Sequence, residues 1–215
     1  MLGKGLHKVM EDYFISDPHF GHKLVSQLRG FDDPKAHDQF LLKAWIDTFP
    51  ADQHVRLWVL GDNYVGGPNA EDHALGQLCY LKKQLLEKKN SVLELHGILG
   101  NHDSAHPMHS KAFKQVKRFY LAYDSVQMAA CIKMAGHRVM MNHFPYDGDH
   151  LDEERGEQFR LRDLGAPLLH GHTHSSQQIS YSQQGSLQIC LSVEACPSFQ
   201  PVRRTIVEKI VKQYV

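Results

Sequence analysis

The sequence predicts an α/β protein in which two mixed β-sheets pack together and helices flank them. Short apolar segments, typical of strands buried on both faces, recur along the chain. Amphipathic helical patterns separate these segments in the first half, whereas hairpin patterns predominate after residue 120. Because repeats, low-complexity tracts and Pro/Gly/Ser linkers are all missing, we expect a single domain over residues 1–215.

Five of the apolar segments are predicted strands, at 13–16, 55–60, 92–99, 138–142 and 166–170. A helix is predicted to begin at Asp33, a plausible N-cap, with Pro34 in its first position. A second helix, over 73–89, carries leucines along one face. Two hairpins are expected to turn at Gly136 and near Gly185, and a short helix is expected at the C-terminus.

The overall composition excludes several classes of protein. The chain contains 24 basic and 24 acidic residues, and its pI is about 7.3. This balance argues against a nucleic-acid coat or a membrane-surface protein, although it leaves room for a local basic groove. The four cysteines form no C-x-x-C pair, which argues against a zinc–thiolate site. With no secretory signal and no run of roughly 18 apolar residues, we expect a cytoplasmic protein with free thiols.

Each predicted strand is followed by aspartate, asparagine or histidine. In open α/β sheets, ligands bind outside the carboxyl ends of the strands, so five separate segments can meet at one point. The residues concerned are Asp17, His19, Asp62, Asn101, His102, Asp103, His143, His172 and His174. Oxygen and imidazole ligands without thiolates favour Mn²⁺, Fe²⁺, Ni²⁺ or Zn²⁺ over Ca²⁺.

Spacing within the motifs also indicates a shared site. Asp17 and His19 are two residues apart, as are His172 and His174, so on an extended backbone each pair would point to one side. A glycine precedes three of the polar residues and permits sharp turns and close approach of the backbone. Seven ligands exceed what one metal needs, so we expect two metals about 3.5–4 Å apart, with Asp62 as the bridging carboxylate.

These ordered motifs resemble those of the calcineurin-like metallophosphoesterases. The shared pattern is D-x-H, G-D, G-N-H-[DE], a lone H and G-H-x-H, which here spans residues 14–174 in the same order. The stretches FISDPHFGH and NHFPY are similar to those of small single-domain phosphoesterases from bacteria and phages. The resemblance implies a four-layer αββα sandwich and two divalent metal ions, with Mn²⁺ as the first choice and Fe, Ni or Zn as alternatives.

The resemblance also assigns a role to each motif residue. It implies that Asp17, His19, Asp62 and His174 hold the first metal, and that Asp62, Asn101, His143 and His172 hold the second. His102 would face the substrate without binding metal. Asp103 would orient His102, since residues outside a site often fix the tautomer of a ring.

The reaction implied by the resemblance is hydrolysis of a small phosphomonoester or phosphodiester, with a nucleotide among the candidates. A metal-bridging hydroxide would attack phosphorus in line, and His102 would act as general acid on the leaving oxygen. A nuclease or protein phosphatase of the same chemistry, and a non-catalytic binding scaffold, are the alternatives. The balanced charge argues mildly against a nuclease. We expect neither a membrane partner nor a dedicated nucleic-acid-binding domain.

Three further residues are candidates for contact with substrate. Arg155, in the polar segment 146–163, could form two hydrogen bonds to a phosphate, and a solvated charged loop is the alternative. His22 follows the first motif and could reach the same pocket, or it could simply begin a helix. Tyr146 could stack on a base or another ring, with packing in the interior as the alternative.

Overall fold

The computed structural model describes residues 10–149 and 155–215, which form two five-stranded sheets and five α-helices. The strands are Glu11–Ile15 (β1), His54–Val59 (β2), Val92–Ile98 (β3), Ser125–Gln127 (β4), Ala129–Met134 (β5), His137–Asn142 (β6), Leu168–His170 (β7), Ile179–Tyr181 (β8), Leu187–Cys190 (β9) and Val202–Arg203 (β10). The helices are Lys23–Leu28 (α1), Pro34–Thr48 (α2), Pro68–Lys89 (α3), Ala112–Phe119 (α4) and Arg204–Tyr214 (α5).

The first sheet has the strand order β10-β1-β2-β3-β4. Strands β1 to β4 run parallel, and β10 pairs antiparallel with β1, where Phe14 lies opposite Val202. Because parallel strands end at the same edge of a sheet, the segments that follow β1, β2 and β3 emerge side by side.

The second sheet has the strand order β5-β6-β7-β9-β8. Its two antiparallel pairs, β5 with β6 and β8 with β9, confirm both predicted hairpins. Gly136 and Gly185 lie in the turns with φ of +90° and +84°, a region that glycine adopts without steric cost. Strands β6 and β7 run parallel, so the segments after them also emerge at one edge.

One hydrophobic core joins the two sheets and the helices. It includes Phe14 and Leu57 from the first sheet and Val139 and Ile189 from the second, all fully buried. The predicted architecture, α/β with two packed mixed sheets and helices, is therefore confirmed.

The longer helices form where the amphipathic patterns predicted them. Asp33 caps α2 by accepting a hydrogen bond of 2.8 Å from an N–H of its first turn. α3 begins at Pro68 rather than near residue 73, because proline has the fixed φ of a first helical position. The short helix α1 was predicted only as the alternative role of His22, which does begin it: Nδ1 of His22 accepts the N–H of Val25 at 3.1 Å. Within residues 10–149 and 155–215, no helix is long and apolar enough to cross a membrane.

Backbone hydrogen bonds connect the two sheets at the edge where the polar segments emerge. The N–H of Ser16, just after β1, donates to the carbonyl of Leu191, just after β9, at 2.7 Å. The N–H of Val193 returns the contact by donating to the carbonyl of Ser16 at 3.1 Å. The carboxyl ends of strands from both sheets are thereby held next to one another.

Candidate metal centre

Five of the predicted metal ligands have a left-handed backbone conformation. The φ angle is +57° at Asp17, +50° at His19, +52° at Asp62, +68° at His172 and +49° at His174. Such angles cost roughly 1–3 kcal/mol each in residues other than glycine, and they cluster at functional sites. The prediction that each closely spaced pair lies on an extended backbone is therefore wrong. The chain turns sharply at these residues, and the turns bring their side chains together.

Glycines allow the ligand-bearing loops to touch, as predicted. A Cβ atom on Gly100 would lie 2.2 Å from Oδ1 of Asp62, and one on Gly171 would lie 1.9 Å from Oγ of Ser16. Gly61 has a φ of +95°, which also favours glycine. No side chain fits at these distances, so the loops pack through bare backbone.

The first group of ligands, cluster A, consists of Asp17, His19 and His174, whose ligand atoms lie within 4.8 Å of one another. The Nε2 atoms of His19 and His174 are 3.1 Å apart, and each lies 3.9 Å from Oδ1 of Asp17. If two nitrogens each lie about 2.1 Å from one cation and the N–metal–N angle is about 90°, the nitrogens are about 3.0 Å apart. The spacing of the two rings therefore fits a shared cation.

The second group, cluster B, consists of Asp62, His143 and His172, and all three are buried. The side chain of Asn101 joins this cluster, since its Oδ1 lies 3.0 Å from Nε2 of His143 and 2.9 Å from Nδ1 of His172. The structure thus brings together the four residues that the resemblance assigns to the second metal.

Asp62, a member of cluster B, also lies close to cluster A. Its Oδ2 is 4.0 Å from Nε2 of His19 in cluster A and 3.4 Å from Nε2 of His143 in cluster B. Burial would raise the pKa of Asp62, but the adjacent His143 lowers it. In turn, although burial opposes the effect, the charge of Asp62 raises the pKa of His143 to about 9. With this pKa, His143 carries a second ring proton at neutral pH, and a cation between the two side chains would replace it. The position of Asp62 also suits the predicted bridge.

Acceptors outside the clusters set the tautomers of three histidines. Nδ1 of His143 lies 2.7 Å from a backbone carbonyl oxygen, and Nδ1 of His174 lies 3.0 Å from Oε1 of Glu194. Nε2 of His172 lies 2.9 Å from Oδ2 of Asp149. When these rings are neutral, each of these nitrogens carries the ring proton, so the other nitrogen presents a lone pair to a cluster.

This set of atoms fits a pair of divalent cations. With both rings neutral, as a bound cation requires, lone pairs of His143 and His172 face the carbonyl oxygen of Asn101 in cluster B, so three acceptors converge. In cluster A, the Nε2 atoms of His19 and His174 face each other at 3.1 Å, a spacing that a shared cation would explain. Burial and the charge of His143 lower the pKa of His172 to about 3, which keeps this ring neutral, as a metal ligand must be.

Sequence reasoning missed Glu194 and Arg29, which support cluster A. Oε1 of Glu194 accepts hydrogen bonds from Nε and Nη2 of Arg29 at 2.9 and 2.8 Å, in addition to its contact with His174. Arg29 also donates to the backbone carbonyls of Asp17 and Pro18, at 2.7 and 2.9 Å. Although burial opposes the effect, the hydrogen bond from His174 and the charge of Arg29 lower the pKa of Glu194 to about 2.

The sequence held one signal for these supporting residues. Glu194 is the only acidic residue between Asp163 and Glu208, so it was the only carboxylate of that segment available to a histidine. No motif marks Arg29 or Asp149, because their partners are distant in sequence.

The buried carboxylate of Asp149 organises the arginine-containing segment. It accepts hydrogen bonds from Arg155 at 3.0 Å and from Arg160 at 3.4 Å, besides its contact with cluster B. Arg155 pairs with this carboxylate, which in turn contacts cluster B, and its predicted contact with substrate stays a prediction. Arg160 is nearly buried and donates to several backbone carbonyls. Residues 150–154 of the predicted segment lie outside the described residues.

Asp103 does not orient His102, contrary to expectation. Its Oδ2 accepts the N–H groups of Asp62 at 3.1 Å and Gly100 at 2.8 Å. Its Oδ1 accepts the backbone and side-chain N–H groups of Asn63, both at 3.1 Å. Burial and the charge of Asp62 raise the pKa of Asp103 to about 7. Asp103 points into the interior while His102 points outward, so its carboxylate joins two ligand-bearing loops instead.

His102 and His22 both lie beside the centre. The side chain of His102 is 42% exposed, and its Nε2 is 4.0 Å from Oδ2 of Asp62. The ring centroid of His19 is 5.8 Å from that of His102 and 6.0 Å from that of His22. Since Nδ1 of His22 accepts the N–H of Val25, its Nε2 carries the proton.

Tyr146 is packed in the interior and is not available to a ligand. It is 8% exposed, and its hydroxyl donates to the carbonyl of Ala166 at 3.0 Å. Its N–H donates to Oε1 of Gln188 at 2.6 Å, and burial raises the pKa of its hydroxyl to about 12. The expectation that Tyr146 stacks on a substrate ring is therefore corrected, and the packing alternative holds.

The fold and the paired clusters define an α/β protein with two groups of side chains suited to metal. No protein-family model matches the chain. The chain is 40% identical over 178 residues to the gene 66 protein of Mycobacterium phage L5, covering 78% of this chain and 79% of that relative. It is 39% identical over 168 residues to the gene 66 protein of Mycobacterium phage D29, covering 76% and 78%. The chain therefore belongs to the family of these phage gene 66 proteins.

A solved structure shares the fold at low sequence identity. The protein of unknown function AQ665 from Aquifex aeolicus has a TM-score of 0.63 and is 20% identical to this chain. The similarity covers 94% of this chain and 99% of that protein, so the two-sheet architecture as a whole recurs in it.

Proposed function

We propose that this protein is a dimetal phosphoesterase. The observation that carries the proposal is the convergence of clusters A and B on Asp62, with lone pairs of three histidines directed inward by outer acceptors. Carboxylate, amide and imidazole ligands around two adjacent positions are typical of enzymes that hydrolyse phosphoesters with two metals. The resemblance of the ordered motifs to calcineurin-like metallophosphoesterases supports the same activity.

The seven ligands divide between two cations. Asp17, His19 and His174 would hold one, Asn101, His143 and His172 would hold the other, and Asp62 would contact both. Mn²⁺ is our first candidate, and Fe²⁺, Ni²⁺ and Zn²⁺ suit the same ligands. When bound, such cations lower the pKa of water and stabilise charge on phosphoryl oxygens.

Two histidines outside the clusters would act on the substrate. His102 is exposed beside Asp62, so its Nε2 can donate a proton to the leaving oxygen of a bound ester. His22 would donate a hydrogen bond from Nε2 to a phosphoryl oxygen. Burial and the nearby charge of His102 lower the pKa of His22, which keeps its ring neutral with a single N–H available.

A screen of metals against substrates tests this proposal. Chelator-treated protein would receive Mn²⁺, Fe²⁺, Ni²⁺, Zn²⁺ or Ca²⁺ and be assayed on p-nitrophenyl phosphate, bis-p-nitrophenyl phosphate and a phosphopeptide. We expect Mn²⁺-dependent turnover of a small monoester or diester, and its loss in Asp62→Asn. Turnover of the phosphopeptide alone would indicate a protein phosphatase. Full metal binding without turnover of any ester would contradict the proposal and favour a binding scaffold.

A further inference from the structure

The segment that follows the metal-site loop is basic and aromatic. Residues 104–123 contain three lysines and one arginine but no aspartate or glutamate, in a chain whose charges balance overall. In and after α4, Phe113 is 74% exposed, Tyr120 54% and Leu121 71%. Exposed aromatic rings beside positive charge are the usual components of surfaces that bind single-stranded nucleic acids.

The lysines of this segment are available to an anionic ligand. Lys111, Lys114 and Lys117 are exposed and form no ion pair with any residue that the structure describes. Arg118 differs, because it pairs with two acidic residues of α3. The Nζ atom of Lys114 lies 5.6 Å from the ring centroid of Phe113, so a positive charge and a stacking surface occur together.

Hydrogen-bonded turns connect this surface to the metal centre. Four successive turns, each closed by an N–H that donates to the carbonyl three residues earlier, run from Gly100 to Ala112. The Nε2 atom of His109 also lies 2.9 Å from the backbone carbonyl of Asn101, which is a ligand of cluster B. The exposed His102 lies at the start of the same segment. The α4 surface, the exposed His102 and Asn101 of cluster B therefore belong to one continuous, hydrogen-bonded stretch of the chain.

We propose that the α4 surface binds single-stranded nucleic acid whose phosphoester is hydrolysed at the metal centre. We define the α4 surface as Lys111, Phe113, Lys114, Lys117 and Tyr120. Its lysines would contact backbone phosphates, and its rings would stack on bases irrespective of sequence, because every base has a π face. The balanced charge of the whole chain argues only mildly against such binding, because binding depends on local charge and residues 104–123 are locally basic. This inference rests on the proposed function and names its substrate class.

Binding of a fluorescent oligothymidylate, measured by anisotropy with chelator present, tests the surface without hydrolysis. We expect the double substitution Lys114→Glu and Lys117→Glu to weaken binding by at least about tenfold and to reduce its salt dependence. Phe113→Ala should weaken binding by about fivefold or more. The matched control is Lys209→Glu with Lys212→Glu, which makes the same charge change on α5, a different helix that contacts β1 and β10. Equal weakening in the control, or none in the α4 variants, would overturn the inference.

Parallel assays separate this inference from the proposed function. Turnover of bis-p-nitrophenyl phosphate reports the metal centre alone, and we expect the lysine variant to raise KM for oligothymidylate while retaining turnover of the small ester. Binding to phosphatidylserine vesicles that depends on α4, with oligothymidylate binding unaffected by the substitutions, would overturn the inference in favour of a membrane surface. A third outcome is oligothymidylate binding that depends on α4, without metal-dependent turnover of any ester. This outcome would support nucleic-acid binding by the α4 surface and contradict the proposed phosphoesterase activity.

Discussion

Hydrogen bonds from outside the candidate centre decide which ring nitrogen faces a cation. His172 and His174 are separated by one residue, yet they belong to different clusters and present different nitrogens. Asp149 binds Nε2 of His172, which leaves Nδ1 for cluster B, whereas Glu194 binds Nδ1 of His174, which leaves Nε2 for cluster A. Replacing a carboxylate that holds a metal-binding histidine in this way typically lowers metal affinity or activity by about 10–100-fold.

Replacing His102 by alanine should slow hydrolysis of an alkyl phosphoester by roughly 10²–10⁴-fold, because the leaving alkoxide would lose its proton donor. The effect on a p-nitrophenyl ester should be smaller, since that leaving group needs little protonation. His102 belongs to neither cluster, so calorimetric titration should show unchanged Mn²⁺ binding. Undiminished turnover of the alkyl ester would remove the acid role from His102.

The substitution Glu194→Gln should weaken Mn²⁺ binding by roughly 10–100-fold, because a neutral amide holds the proton on His174 less firmly than a carboxylate. Isothermal titration calorimetry would measure the change. Glu208→Gln is a suitable control, since Glu208 accepts a hydrogen bond from Arg204 away from either cluster. Parental affinity in Glu194→Gln would show that this carboxylate does not position the ligand.

At the scale of elements, the strands and hairpins were predictable because their signals are local. Apolar runs marked β1, β2, β3, β6 and β7, and glycines marked the two hairpin turns. α4 was not predicted, because it is short and keeps few residues buried. The ligand-bearing loops were predicted to meet, but their left-handed backbones were not, because those conformations depend on contacts between loops.

Gly100→Ala should destabilise the protein by about 1–3 kcal/mol, because overpacked groups force the backbone to shift. The added Cβ would lie 2.2 Å from Oδ1 of Asp62, so Mn²⁺ binding should fail as well. Urea unfolding would measure the loss of stability. As a control, Gly76→Ala in α3 adds a Cβ that meets nothing within 4 Å and should stabilise the helix by about 0.5–1 kcal/mol. A Gly100→Ala protein as stable as the parent would contradict the close packing of these loops.

At the scale of the whole molecule, the folded chain buries neutral histidines that the unfolded chain exposes to water. His106 is fully buried, and its ring contacts Phe144 and Phe159 edge to face, with centroids 5.9 and 4.8 Å away. Burial and the charges of His143 and His109 lower its pKa from 6.5 to about 4. Between these two values, the unfolded chain takes up a proton that the folded chain does not.

The free energy of unfolding should therefore fall as the pH is lowered from 6.5 to about 4. His106→Phe should show a smaller fall, because phenylalanine cannot be protonated. Urea unfolding of both proteins across this range, with chelator present, would measure the difference. An equal loss of stability in the two proteins would assign the pH dependence to other groups.

The roles of single residues were harder to predict than the architecture, because each depends on one distant partner. The motif order was enough to predict which loops would meet. It did not show that Asp103 joins two loops, that Arg155 pairs with Asp149, or that Tyr146 is packed inside. The contact between Arg29 and Glu194 spans 165 residues, and no spacing rule applies at that separation.

Crystals grown with Mn²⁺ and measured near the manganese absorption edge would test the two-cation centre most directly. We expect two anomalous peaks about 3.5–4 Å apart, one beside each cluster, with the carboxylate of Asp62 between them. A single peak, or none, in crystals of protein saturated with Mn²⁺ would contradict the dimetal centre.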